Sequence, residues 1–181
     1  IEIPTNSKLE SIGKSSLIGT KIREFLIPES LVHLKEGWCA AAKLTKITIM
    51  PKNPRYSFFN SKFIIGKSSI QNPNYDVLVF CSRNVKHVTI PNFIKRISSC
   101  AFYCCNRIRK IFIQPNITHI GERAFMQCHK LRMIEIPENS KLQRIDEGAF
   151  SFTSIKCFFI PKNATQIGSS IFYYCKHLII E

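Results

Sequence analysis

A recurring proline places the strongest constraint on the fold of this chain of 181 residues. Prolines that end an apolar, strand-like run stand at positions 4, 28, 51, 91, 115, 137 and 161. The intervals between them are 24, 23, 40, 24, 22 and 24 residues. A period of roughly 20–29 residues predicts a solenoid, because one such unit buries its apolar side only by stacking against its neighbours.

The intervals also share an order of apolar and small residues. One repeat carries it as Ile117, Ile120-Gly121, Ala124-Phe125, Cys128, Leu131, Ile134 and Ile136-Pro137. The apolar residues just before the proline alternate, which indicates a short strand, and proline ends the strand because it has no amide hydrogen. The Ile-Gly pair followed by Ala-Phe predicts one helical or 3₁₀ turn that places the phenylalanine in the core.

These elements predict an α/β-type solenoid, a leucine-rich repeat stack with a parallel sheet of short strands and short helical or 3₁₀ turns. Stacking at roughly 4.8 Å per strand would give a continuous core. We expect residues 1–181 to form one such domain of about seven turns. Both ends of the chain lie inside the repeat pattern, so we expect a fragment that is cut at both ends.

One interval, from Pro51 to Pro91, spans 40 residues and breaks the period. It contains the apolar runs 56–59 and 63–66 on either side of the polar pair Asn60-Ser61, a pattern typical of a β-hairpin. We expect residues 51–90 to be a modified repeat from which a hairpin, at 53–67, protrudes.

The repeat Ile-Gly-x-x-Ala-Phe-x-x-Cys-x-x-Leu-x-x-Ile-x-Ile-Pro resembles the BspA-like class of leucine-rich repeats, the Treponema-type class of surface proteins. The resemblance extends over essentially the whole chain. It is strongest from Pro91 to Cys175 and weakest from Trp38 to Asn74. It implies a solenoid, with the parent protein secreted or displayed on a cell surface, and adhesion to host cells, matrix or other microbes. A hairpin insertion is also a feature of such proteins.

The sequence contains no recognisable catalytic or cofactor motif. Gly13-Lys14-Ser15 and Gly66-Lys67-Ser68 lack the glycine that a phosphate-binding loop needs five residues before its Gly-Lys pair. Neither a C-x-x-C pair nor a catalytic histidine motif occurs. No apolar run approaches the roughly 18–20 residues of a membrane helix. We therefore expect no enzyme activity, no cofactor, no metal and no direct membrane insertion.

Three of the eight cysteines share one repeat position: Cys105, Cys128 and Cys175. Small thiols at an equivalent position in each turn are expected to stack in the core. A disulfide between Cys105 and Cys128 stays open as an alternative, since neighbouring turns could bring the two sulfurs together.

A stripe of basic residues flanks the first apolar position of each strand in this chain of net charge +14. Its members are Lys21, Arg23, Lys43, Lys86, Arg107, Arg109, Lys130, Arg132, Lys156 and His177. Aligned like charges destabilise a sheet by a few tenths of a kcal/mol per pair, roughly, unless acidic neighbours or a polyanion relieve them. The stripe is therefore either a solvated flank or a site for a glycosaminoglycan or another polyanion. Specific nucleic-acid binding is not expected.

A second column comprises the outward positions of the strands. It includes Lys110, Phe112, Met133 and Phe159, and an apolar patch with a basic rim is typical of a protein-binding surface. Asn116 and Asn163 begin Asn-x-Thr sequons and are candidate N-glycosylation sites if a eukaryote secretes the protein.

Together these features favour a non-enzymatic adhesion and protein-interaction module that binds proteins of a host surface, of the extracellular matrix or of other microbes. A structural or antigenic surface stalk without its own ligand is the alternative. A small-ligand regulatory or enzymatic domain would need a deep pocket, which a tight stack is not expected to have.

Overall fold

The structure, a computed structural model, describes residues 2–176 and 178–180. These residues form fifteen short strands and no helix. The strands are β1 (Ser11–Ile12), β2 (Glu24–Ile27), β3 (His33–Leu34), β4 (Lys46–Ile49), β5 (Tyr56–Phe59), β6 (Phe63–Gly66), β7 (Val77–Cys81), β8 (Arg96–Ile97), β9 (Lys110–Phe112), β10 (His119–Ile120), β11 (Met133–Glu135), β12 (Arg144–Ile145), β13 (Cys157–Phe158), β14 (Gln166–Ile167) and β15 (Ile179–Ile180). Accordingly, no described helix is long and apolar enough to cross a bilayer.

Each regular repeat contributes one strand to each of two parallel ladders. In the first ladder β8, β10, β12 and β14 pair in parallel, with His119 opposite both Arg96 and Arg144. β1 and β3 pair in the same way near the N-terminus. In the second ladder β2 pairs with β4, β9 with β11 and β13 with β15. The described residues thus form the parallel leucine-rich repeat stack of about seven turns that the period predicted.

Hydrogen-bonded turns replace the helical turns expected behind the Ile-Gly pair. Arg123 and Gln127 have φ angles of 53° and 60°, which a right-handed helix excludes. Alternate amides of residues 100–104 donate to carbonyls of residues 122–126 in the next repeat, at 2.8–3.0 Å. A regular helix would use these groups within its own turn, whereas here they join neighbouring repeats. The expectation of helical or 3₁₀ turns is therefore not confirmed for the described residues.

Stacked phenylalanines run through the core behind these turns. Phe102 and Phe125 lie parallel with ring centroids 4.7 Å apart, Phe125 and Phe150 are 5.5 Å apart, and Phe150 and Phe172 are 5.7 Å apart. Parallel offset rings are a favourable arrangement of aromatic quadrupoles. One ring per turn therefore ties each repeat to the repeats on both sides.

The glycine of the Ile-Gly pair allows the close approach of successive repeats. A Cβ atom added at Gly121 would lie 2.6 Å from the amide nitrogen of Ser99 in the preceding turn. The amide of Gly121 itself donates to the carbonyl of Ile97 at 2.9 Å. A side chain at this position would separate the two turns and lengthen that hydrogen bond.

The long interval between Pro51 and Pro91 contains a β-hairpin that lies within the stack. β5 and β6 pair antiparallel, β6 pairs antiparallel with β7, and β7 continues in parallel onto β8 of the first ladder. All four residues of β6 are buried. The expectation that the hairpin protrudes is therefore wrong, because its apolar run is covered on both faces.

This inserted sheet separates two hydrophobic cores. Phe63 and Ile65 of β6 pack into the C-terminal core. Ile64 of the same strand packs with Phe80 and Trp38 in the N-terminal core. Successive side chains of a strand point to opposite faces, so one strand serves both cores.

The phenylalanine column predicts a large effect of truncation at Phe125. Phe125→Ala removes a fully buried ring and its two stacking contacts, and we expect the free energy of unfolding to fall by about 3–5 kcal/mol. Phe112→Ala, at an exposed ring, is the control and should change it by about 0.5 kcal/mol or less. Urea unfolding followed by circular dichroism measures both, and equal effects would contradict the stacking argument.

Candidate functional site

The predicted basic residues of the C-terminal half lie along one edge of the second ladder. This basic edge consists of Arg107, Arg109, Lys130, Arg132 and Lys156. Each is exposed and lies next to a buried aliphatic residue, Ile108, Leu131 or Ile155. The amide of Arg132 donates to the carbonyl of Arg109 at 2.9 Å, which places these two cations on adjacent turns. The alternation of core and surface positions thus holds the charges in one row.

The cations of the basic edge have no acidic partners. Within residues 2–176 and 178–180 none of them forms an ion pair, and Arg107 contacts only the carbonyl of Asn84, at 3.4 Å. The strand face differs, since Lys110 pairs with Glu135 at 2.5 Å. The basic edge is therefore an uncompensated positive surface that an acidic ligand can neutralise.

Four other predicted members lie apart from this row. Lys21 and Arg23 are exposed just before β2. Lys43 is exposed just before β4, whose sheet contains only β2 and β4 among the described strands. Lys86 is exposed in the segment that follows the inserted sheet. His177 lies outside the described residues. The stripe is thus interrupted by the insertion and does not extend unbroken along the stack.

A cavity of about 480 Å³ opens at the C-terminal end of the basic edge. Its lining residues are His129, Arg132, Phe152, Thr153, Ser154, Ile155, Lys156, Tyr174 and Lys176. The rings of Phe152 and Tyr174 stack with centroids 5.1 Å apart. Its volume lies within the roughly 300–1,000 Å³ of small-ligand sites. Three full positive charges and no described carboxylate line it, so its chemistry suits an anion beside an aromatic surface.

The outward column of the strand face does not form one apolar patch. Phe112, Met133 and Phe159 are 39%, 49% and 61% exposed. Phe112 lies on β9 opposite Glu135 of β11, and Phe159 follows β13 on the far side of β11. The ion pair between Glu135 and Lys110 therefore stands between the two phenylalanines.

Both sequon asparagines bridge successive repeats. The side-chain Nδ2 of Asn116 donates to the backbone carbonyl of Asn92 at 3.2 Å. The side-chain Nδ2 of Asn163 donates to the backbone carbonyl of Ser140 at 2.6 Å. The buried Asn53 makes the same kind of bond to Pro28 at 2.7 Å. The recurrence of this bond gives the asparagine a structural role in the repeat.

No disulfide joins Cys105 and Cys128. The Cys128 thiol instead donates to the carbonyl of Phe102 at 3.0 Å, and Cys175 does the same to Phe150 at 3.3 Å. Among the described residues no three His, Cys, Asp or Glu side chains are grouped to hold a metal ion. Cys105 and Cys128 thus lie in the core as the repeat pattern predicted, whereas Cys175 is half-buried.

A second row of polar residues, on the first ladder, is absent from the sequence-based candidates. Arg96 Nη2 lies 3.2 Å from His119 Nδ1, and His119 Nε2 lies 2.7 Å from Asp146 Oδ2. Because arginine only donates, Nδ1 accepts and Nε2 donates, which is the neutral imidazole. Arg144 also donates to Asp146. In the sequence, this row could have been found from the polar residue that immediately precedes a buried isoleucine in successive repeats. These pairs are Arg96-Ile97, His119-Ile120 and Arg144-Ile145.

Cavities cluster where the inserted sheet interrupts the stack. One of about 330 Å³ lies beside Arg96, Trp38 and Tyr56, and a groove of about 750 Å³ lies beside Phe58 and Phe93. The sequence predicted a tight stack without deep pockets. The regular C-terminal turns nevertheless contain the cavity beside Arg132 and Lys156, and the change of strand direction at β5–β7 adds two more.

Comparison with known proteins places these features in context. The family model of the BspA type leucine rich repeat region matches this chain over residues 1–65 and 54–179, with six copies of the repeat. No match is found among curated proteins.

Solved structures share the fold. A leucine rich cell surface protein from Faecalibacterium prausnitzii is similar with a TM-score of 0.80 at 24% identity, over 98% of this chain and 45% of that protein. The pneumococcal vaccine antigen PcpA is similar with a TM-score of 0.83 at 19% identity, over 98% and 44%. A leucine-rich repeat protein from Eubacterium ventriosum has a TM-score of 0.74 at 21% identity, over 94% and 51%. The chain thus spans about half the length of these proteins.

The ion pair of Asp146 with Arg144 and its hydrogen bond with His119 predict a stability contribution that acid removes. Burial alone would raise the pKa of Asp146, but hydrogen bonds from Arg144 and His119 outweigh it and hold the pKa below that of an ordinary carboxyl. The folded state therefore favours the carboxylate. Its contribution is fully present above the unfolded pKa of about 3.9 and is lost as the pH falls through the lower folded value.

We expect Asp146→Asn to lower the free energy of unfolding by about 1 kcal/mol at neutral pH. The difference from the wild type should shrink as the pH falls below about 4, because protonation progressively removes the charge of Asp146 from the unfolded and then from the folded wild type. Urea unfolding at pH 7 and pH 3 measures it, with Glu138→Gln, at an exposed side chain, as the control. A difference that is the same at both pH values would contradict the assignment.

Proposed function

This chain belongs to the BspA-type leucine-rich repeat family, and on that premise we propose that it is a non-enzymatic adhesion module of a cell-surface or secreted protein. Its basic edge binds acidic groups on molecules of a host cell, of the extracellular matrix or of another microbe. The protein presents the stack outside the cell. The similar protein from Faecalibacterium prausnitzii is described as a cell surface protein, which supports this part of the proposal.

The observation that carries this proposal is the cavity beside Arg132, Lys156 and Lys176. Three cations converge on one concave site without a described carboxylate in its lining. Unpaired cations attract anions more strongly than cations in ion pairs, because an ion pair already cancels most of its own field. The aromatic pair Phe152 and Tyr174 adds an apolar wall against which a sugar ring or an apolar side chain can pack.

The repeat geometry favours an extended polyanion such as a glycosaminoglycan, or an acidic or sialylated protein surface. Cations on neighbouring turns are spaced by roughly 4.8 Å, so a ligand with regularly spaced charges can contact several at once. Many weak contacts of this kind add to a useful affinity without a deep pocket. Contacts with phosphate charges do not distinguish one base sequence from another, so we do not propose specific recognition of nucleic acids.

The alternative is a structural or antigenic stalk without a ligand on this segment. PcpA is named a pneumococcal vaccine antigen, a description that specifies no ligand. If this segment is a stalk, reversing the charge of the basic edge leaves cell attachment unchanged. If it is an adhesion site, the same reversal weakens attachment, so charge reversal distinguishes the two functions.

We expect the double substitution Arg132→Glu and Lys156→Glu to weaken binding to heparin, a sulfated polysaccharide, by about tenfold or more. Two attractive contacts become repulsive, and about 1.4 kcal/mol corresponds to each tenfold change. The dissociation constant is measured by surface plasmon resonance at several salt concentrations. Its dependence on salt should also become shallower, since fewer counterions are released on binding.

The matched control is Lys141→Glu with Lys162→Glu, which makes the same change in net charge at exposed lysines away from the basic edge. This control should retain most of the affinity. Equal losses in both variants would show attraction to net charge without a site. Absence of binding by the wild type to heparin and to epithelial cells would favour the stalk.

A further inference from the structure

Arg83 is an unusual cation at the boundary between the inserted sheet and the C-terminal stack. Its Nη1 donates to the carbonyl of Ala101 at 3.0 Å, and its Nη2 donates to the carbonyl of Cys100 at 3.4 Å. The guanidinium carbon lies 4.4 Å from the centre of the Phe80 ring. Its Nε is buried without a hydrogen-bond partner, and no described carboxylate pairs with the group.

The sulfur of Cys105 lies beside this guanidinium. Arg83 Nη1 is 3.8 Å from Cys105 Sγ, and the Cys81 thiol also donates to that sulfur. The Cys81 thiol has one further acceptor, the carbonyl of Ser82 at 3.6 Å. Both cysteines are fully buried. Cys105 Sγ therefore accepts from two donors, one of which is a cation.

The same register in other repeats behaves differently. The thiols of Cys128 and Cys175 donate to the carbonyls of Phe102 and Phe150, which keeps their protons in place. Among the described residues, no carbonyl accepts a hydrogen bond from the Cys105 thiol, whose partners are Arg83 and Cys81. The amide of Cys81 donates to the carbonyl of Ala101 at 2.9 Å, so Cys81 occupies the place that phenylalanine has in a regular repeat. The insertion thus brings a second sulfur to the Cys105 position.

The electrostatics agree with this geometry. The hydrogen bond from Cys81 lowers the pKa of Cys105 to about 7, with help from Arg83 and against the effect of burial. Burial raises the pKa of Cys39 to about 12 and that of Cys100 to about 11, although Arg83 favours the thiolate of both. Proximity to Arg83 is therefore not sufficient, and the second donor distinguishes Cys105. A thiolate is the form of cysteine that reacts with oxidants.

We propose that Cys81 and Cys105 are an oxidisable pair that a hydroperoxide converts into a disulfide between the inserted sheet and the C-terminal stack. In the first step the Cys105 thiolate attacks one peroxide oxygen. The O–O bond breaks, Cys105 becomes a sulfenic acid, and the leaving hydroxide takes up a proton to form water. Arg83 stabilises the thiolate before this attack and is not itself changed.

In the second step Cys81 attacks the sulfur of the Cys105 sulfenic acid. The S–S bond forms, the S–O bond breaks, and the departing hydroxide leaves as water with the proton of the Cys81 thiol. In total two thiols are oxidised and one hydrogen peroxide is reduced to two waters. Hydrogen peroxide is small enough to reach a buried sulfur through local opening, and extracellular conditions preserve the resulting disulfide.

The test uses the full chain treated with hydrogen peroxide at neutral pH, followed by blocking of the remaining thiols and mass spectrometry of the intact protein and of its peptides. We expect a product that has lost two hydrogen atoms, a Cys81–Cys105 linked peptide, and a thermal midpoint above that of the reduced protein. A bridge between other cysteines, or oxidation of Cys105 without a bridge to Cys81, would overturn the proposal. Complete resistance to peroxide would overturn it as well.

Two matched variants test the roles of the residues. Cys105→Ser should abolish the bridge, whereas Cys128→Ser, at the same register of the next repeat, should retain it. Cys81→Ala should leave a sulfenic acid at Cys105 that a dimedone probe labels, which also covers the case in which Cys105→Ser does not fold. Arg83→Met should slow bridge formation several-fold. Equal loss of the bridge in the Cys105 and Cys128 variants would assign the effect to core packing, against the proposal.

Discussion

Hydrogen bonding between successive repeats is the interaction on which the rest of this molecule depends. The two strand ladders and the bonded turns join each regular repeat to the next on every side of the core. Since a single repeat has too little apolar surface to fold alone, its backbone groups are satisfied only when its neighbours are in place. The glycines at 121 and 168 follow from this requirement, because an added Cβ at either would lie within 2.6 Å of a backbone nitrogen of the preceding turn.

The inserted sheet interrupts that regularity and concentrates the unusual chemistry of the chain. Where β7 replaces a regular turn, the carbonyls of Cys100 and Ala101 receive the guanidinium of Arg83. The cavities beside Trp38 and Phe93 occur at the same discontinuity. A break in a repeat thus has two physical consequences: gaps that side chains do not fill, and polar groups that need non-repeating partners.

The surface chemistry is divided between compensated and uncompensated charge. On the first ladder Asp146 neutralises Arg144, and on the strand face Glu135 neutralises Lys110. The basic edge has no such partners among the described residues. Because exposed ion pairs contribute little to stability, the distribution of acidic residues is not explained by folding alone. An uncompensated row of cations on a rigid scaffold is a feature that a binding role accounts for.

The sequence by itself determined the solenoid, the parallel strands and the core register of Phe125 and Cys128, because these follow from periodicity and each repeat confirms the next. It also indicated the family, through the resemblance of the repeat motif to a known class. It also located the basic residues correctly as exposed side chains. Only the tertiary structure decided the turns, the place of the hairpin and the interruption of the basic stripe. These features depend on which backbone groups of neighbouring repeats form hydrogen bonds with each other. The spacing of residues along the sequence does not specify those partners. The contact of Cys81 with Cys105 was beyond sequence reasoning for the same reason, since it exists only where a strand replaces a turn.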